Sequence, residues 1–199
     1  MDMTSIIFNA LQPLCWIIPV ILILFFITSP WFKGRAGELI VHYRLKLLSA
    51  KHYKVLTNVT LPNENGATQI AHLVVSQCGI FVVETINIKG WIFGGADQPI
   101  WQQASFNHSS VFKNPLHQNE KHIKTLQYLL GVDETVFHSA VVFVGDCTFK
   151  TEMPDNVVKS VSAMIRYINT FKTPLFTEQQ LLQWVASIEG ASFGPDLCN

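Results

Sequence analysis

The apolar and polar positions of this chain change rhythm several times, and each rhythm predicts a different element. From Leu14 to Phe32 (LCWIIPVILILFFITSPWF) the chain runs 19 residues without a charge. About 20 apolar residues in a helix cross the hydrocarbon core of a bilayer. Between residues 35 and 50 apolar residues recur at helical spacing, which predicts an amphipathic helix. Tyr53 to Leu61 is rich in β-branched and apolar residues and meets the turn cluster Pro62-Asn-Glu-Asn-Gly66. Residues 67–76 and 79–88 predict two strands joined through Gln77-Cys78-Gly79, and Trp91–Phe93 and Ile100–Gln103 predict short strands. Leu116 to Leu130 returns to helical spacing, with Asn114 as N-cap, Pro115 at the first helical position and Gly131 as the stop. Val136 to Gly145 holds the buried-strand run AVVFVG. Val157–Phe171 and Thr177–Ile188 predict two final helices, the second opened by a capping box from Thr177 to Gln180. This order predicts a mixed α/β layered domain.

Charge sharpens the reading of the first segment. Asp2 is the lone charge before residue 33, which leaves 13 acidic against 14 basic residues beyond it. No basic stretch precedes the apolar run and no small-residue cleavage site follows it, so a membrane span fits better than a cleaved signal peptide. Trp16 and Trp31 lie near its ends, as interfacial rings do. Lys33, Arg35, Arg44 and Lys46 follow it, so the positive-inside rule predicts an outside N-terminus and a cytoplasmic C-terminal domain. Near-neutral charge gives no overall nucleic-acid footprint. Cys15, Cys78, Cys147 and Cys198 form no CxxC pair, so neither a disulfide framework nor a zinc site is indicated. In a cytoplasmic domain the sequons at Asn58 and Asn107 stay unused.

One carboxylate interrupts the second strand of the hairpin QIAHLVVSQCGIFVVETIN (69–87). Alternation puts Gln69, Ala71 and Leu73 on one side of their strand, and Ile80, Val82, Glu84 and Ile86 on one side of theirs. A buried Glu84 needs a partner, a proton or a cation. Its bland partners would be water at the sheet edge, Lys89 or Arg35.

The ordered set GRAGE (34–38), QIAHLVVSQCGIFVVETIN, GWIFG (90–94), WQQ (101–103) and NPLHQN (114–119) resembles the nuclease-related domain, NERD, over residues 34–145. The resemblance implies a PD-(D/E)xK restriction-endonuclease-like mixed sheet flanked by helices, preceded here by a transmembrane anchor over residues 1–33. Residues 146–199 are expected to form a helical extension packing on the domain. In that fold an Asp and a Glu on neighbouring strands hold Mg²⁺ or Mn²⁺ at the scissile phosphate, and a Lys two residues after the Glu orients the attacking water.

Carried onto this chain, the resemblance retains Glu38 and Glu84 and offers Gln118 as the helical glutamine. The family's Asp position holds Ala71 and its Lys position holds Ile86. Neither residue ligates a cation, and neither donates a side-chain hydrogen bond. The expectation is a nuclease site lacking two of its parts, with Glu84 and Glu38 left as weak metal ligands and little or no hydrolysis. Divergence and deliberate inactivation leave the same pattern.

Lys113, Lys121 and Lys124, around the Gln118 helix, are candidate phosphate contacts. Trp91, Phe93 and Trp101 read as core before they read as a base-stacking surface. The seven histidines have no metal-ligand spacing; His117 and His122 are five apart, and all read as surface or locally satisfied. No GxSxG, Walker or GxGxxG motif occurs. The function expected is nucleic-acid binding, DNA before RNA, at the inner membrane through residues 14–32. The alternative is a non-catalytic, membrane-tethered module that recruits a protein partner.

Overall fold

The computed structural model describes residues 16–22, 25, 30–48, 52–63, 66–106 and 108–192, with 30–36 described by their backbone alone. The chain divides into two compact units, Met1–Ala36 and Gly37–Asn199. In the first, residues 16–22 are helical and their large apolar side chains are exposed. Of the expected span Leu14–Phe32, residues 14, 15, 23, 24 and 26–29 lie outside the described residues. Among the described residues no helix is long and apolar enough to cross a membrane.

The second unit is a mixed α/β fold. Helix α1 (Pro30–Lys46) leads into it and is followed by strands β1 (Tyr53–Asn63), β2 (Gly66–Ser76) and β3 (Gly79–Ile86). Next come β4 (Gly90–Phe93), β5 (Ile100–Ser105), β6 (His108–Lys113) and helix α2 (Pro115–Leu130). A 3₁₀ turn at Glu134–Val136 precedes β7 (Phe137–Phe143), β8 (Cys147–Phe149) and β9 (Val157–Val158), and helices α3 (Val161–Ile168) and α4 (Glu178–Ala191) complete it. One sheet has the order β1-β2-β3-β7-β9 and the other β6-β5-β4-β8.

The five-stranded sheet is covered on both faces. Leu73, Val75, Ile80 and Val82 pack with Ile123 and Leu126 of α2 and Leu181 and Ile188 of α4. Val74, Phe81, Val83 and Val142 pack with Val41 and Leu45 of α1 and Met164 and Ile168 of α3. This explains why β3 reads as a nearly unbroken apolar run: a central strand with both faces covered has no polar side.

The strands depart from the sequence expectation in two places. Strand β6 has no counterpart in the sequence reading, because His108-Ser-Ser has little β propensity. It pairs along all of β5, from Ile100 opposite Lys113 to Ser105 opposite His108. Val157-Val158, expected to open a helix, instead pairs parallel with Val141-Val142. That helix starts at Val161, where the Ser160 side chain caps the amide of Ala163.

Simple alternation fails once. Ile70, not Gln69, joins Leu73 and Val75 in their cluster, while Gln69 is exposed. Across the pair the same change of face separates Leu56 from Val59 and Leu61. It coincides with Asn58, whose φ of 54° takes the backbone out of the β region between the pairs Thr57–His72 and Val59–Ile70.

Candidate functional site

NPLHQN builds one wall of the site. The Asn114 side chain accepts from the Leu116 amide at 2.9 Å, and its Nδ2 donates to the carbonyls of Ala96 at 2.9 Å and Gln98 at 2.8 Å. It therefore caps α2 and holds the 95–98 loop together. One turn on, Asn119 is fully buried and donates through Nδ2 to the Val82 carbonyl at 3.0 Å and to Ser139 Oγ at 2.9 Å. These bonds fasten α2 to β3 and β7. Gln118, its neighbour, thereby points along β3 and donates from Nε2 to Oε1 of Glu84 at 3.1 Å.

GRAGE brings the second carboxylate. A side chain at Gly37 would collide with Val144 and Asn87, the residues just beyond the ends of β7 and β3, so glycine lets α1 cross there closely. Glu38 follows, exposed, yet near enough to act electrostatically on Glu84. Burial first, and the Glu38 charge second, push the Glu84 carboxyl up to about 7. Gln118 thus contacts Glu84, and Glu38 lies within electrostatic reach of it. Among the described residues Glu84 forms no ion pair, with Lys89 or any other side chain; the Arg35 side chain lies outside them.

Ala71 lies within β2 and Ile86 ends β3. The paired register of β2 with β3 runs as far as His72 opposite Val83, one step short of Ala71 and Glu84. Ile86 lies opposite Phe143 of β7 and packs at the edge of the apolar cluster of Ile92, Trp101 and Phe143. The lysines are dispersed. Lys113 ends β6 and Lys121 is exposed on α2, whereas Lys124 is bound to Glu120 at 2.7 Å.

Among the described residues two histidines are buried rather than at the surface. His72 is 3% exposed, its Nδ1 lacks a partner, and burial followed by His42 lowers it to about 4. His122 is also buried, with Nδ1 3.0 Å from Thr68 Oγ1 and Nε2 without a partner. Both face packed elements rather than the site, which spacing alone does not reveal. Among the described residues no three His, Cys, Asp or Glu side chains gather in a way that would hold a metal.

An uncharacterized protein of Bacillus anthracis is 48% identical over 102 residues, covering 51% of this chain. The chain spans about half the length of that curated relative, 48% of it. The family profile described as "Nuclease-related domain" matches residues 33–144, more than half of the chain, a range that includes Glu38, Glu84 and Gln118. The chain belongs to the nuclease-related domain (NERD) family.

Proposed function

We propose that this chain is a membrane-anchored, cytoplasmic nucleic-acid-binding protein, built on a nuclease-like scaffold whose hydrolytic site is disabled. The observation that supports it best is the state of Glu84. In an intact site of this ancestry its partners would be a carboxylate on β2, a lysine two residues on and a cation. Here its hydrogen-bond partner is the Gln118 amide, and the two substituted positions carry a methyl and a sec-butyl group.

The donor set does not fit a tightly held Mg²⁺ or Mn²⁺. Such an ion takes oxygen ligands in near-octahedral order, anchored by one or two ionised carboxylates. The Glu84 Oε1 faces the Gln118 N–H, Glu38 is exposed, and among the described residues no third His, Cys, Asp or Glu joins them. The anchor rests on the uncharged run Leu14–Phe32 and the basic residues after it.

The test is fluorescence anisotropy of the full-length chain in detergent micelles with labelled DNA and RNA, in parallel with a cleavage assay containing Mn²⁺. Salt-sensitive binding with no cleavage supports the proposal. Efficient cleavage overturns the disabled site. Absence of binding at low salt favours the protein-recruiting module.

A further inference from the structure

The four-stranded sheet has one face packed and one open. Ile92, Trp101 and Phe149 turn inward to the cluster around Phe143. On the other face Trp91 and Phe93 are each 37% exposed. Trp101 is thus core as expected, whereas Trp91 and Phe93 correct that expectation. The hairpin tip adds Phe106, 92% exposed, edge-on to Trp91 with ring centroids 5.4 Å apart.

The register orders this face. Ala104 lies opposite Trp91 and Ser109, and Gln102 lies opposite Phe93 and Val111. Gln102 donates to Ser109 Oγ at 2.8 Å, so hydrogen-bonding groups interrupt the apolar positions. Two cations are associated with the face. Lys113 lies opposite Ile100 at one corner, and Lys150 Nζ stands 5.3 Å from the centre of the Trp91 ring.

We propose that this face binds single-stranded nucleic acid, with bases stacked on Trp91, Phe93 and Phe106 and phosphates met by Lys113 and Lys150. Trp91 and Phe93 stand two residues apart on one strand, about 6.6 Å. That is roughly twice the 3.4 Å rise of bases in a duplex, so only bases splayed from one another meet both rings. Aromatic rings on a sheet with cations at its margins are what sequence-tolerant single-strand binding uses. A dry protein contact or a lipid surface would favour continuous apolar area, which Gln102 and Ser109 break. The inference rests on the proposed nucleic-acid binding and deepens it: it supplies strand type and a surface separate from Glu84.

The test measures anisotropy of labelled oligothymidine and of a duplex with the full-length chain in micelles at low salt. The variants are Trp91→Leu/Phe93→Leu, which keeps apolar bulk but removes the rings, and Trp91→Phe, which keeps a ring. The proposal expects single-strand affinity to fall at least about tenfold in the double variant and to stay near wild type in Trp91→Phe. Should the double variant fail to fold by circular dichroism, Lys113→Gln/Lys150→Gln serves instead. It must lower the slope of log affinity against log salt by about 0.7 for each phosphate no longer neutralised. Equal single-strand affinity in the variants, or wild-type binding to duplex alone, overturns this proposal and leaves nucleic-acid binding itself standing. Binding of neither nucleic acid overturns both.

Discussion

The side-chain amide of Gln118 donates to Glu84 across 3.1 Å, joining the first turn of α2 to the last residues of β3. This contact places a largely buried carboxylate against a side-chain amide. Folded Glu84 holds its proton up to about pH 7, whereas an unfolded Glu releases it near 4.5. Its favourable contribution is therefore complete below pH 4.5 and is lost as pH rises to 7. Glu84→Gln removes the ionising group. We expect it to be more stable than wild type at pH 8 by on the order of 1–2 kcal/mol, after allowing for partial solvation. Urea denaturation at pH 5 and pH 8 checks this; a difference that does not grow with pH would rule out burial of the charge as the cause.

His72 acts in the opposite direction. Its folded value of about 4 lies below the unfolded 6.5, so stability is lost as pH falls from 6.5 to 4. The ring lies beside His42, with centroids 5.9 Å apart, so protonating both places two like charges together. His72→Leu also removes a buried nitrogen without a partner. It should gain about 2 kcal/mol over wild type at pH 4.5 relative to their difference at pH 8, read from urea midpoints. Between pH 4.5 and 6.5 the Glu84 and His72 terms offset one another in the wild type.

Asn114 combines two duties that can be separated. Asn114→Asp keeps an acceptor for the α2 amides but loses the donor to Ala96 and Gln98, while Asn114→Ala loses both. A missing N-cap costs about 1 kcal/mol, and loss of the bonds to the loop carbonyls adds about 0.5–1.5 kcal/mol. The alanine variant should therefore melt lowest and the aspartate variant between it and wild type. Equal melting temperatures for the two variants would show that the loop, rather than the cap, carries the effect.

What the sequence made legible was local. The uninterrupted apolar run of β3, the Asn114-Pro115 start of α2 and its Gly131 stop, at φ 64°, depend on neighbours in the chain. So does Glu84 standing out from its strand. What stayed hidden depended on distant partners. Strand β6 exists because β5 supplies a full ladder of backbone bonds to a segment with weak propensity of its own. The open face carrying Trp91 and Phe93 was hidden for a related reason: short strands of a second sheet do not reveal which face is covered. The face change at Asn58 required a positive φ that no period of two anticipates. The electrostatic pairing of Glu38 with Glu84 needed the close crossing that Gly37 permits, 47 residues before Glu84 in sequence.

The central claim is that this is a nuclease site disabled at two positions, and restoring them tests it most directly. Ala71→Asp/Ile86→Lys in the full-length chain should cleave labelled DNA or RNA in the presence of Mn²⁺ while the wild type does not. Ile86 lies at the margin of its apolar cluster, so a lysine there can extend to the surface and the fold should persist. A double variant that folds and binds nucleic acid yet leaves it intact, or a wild type that cleaves as fast, would contradict the account.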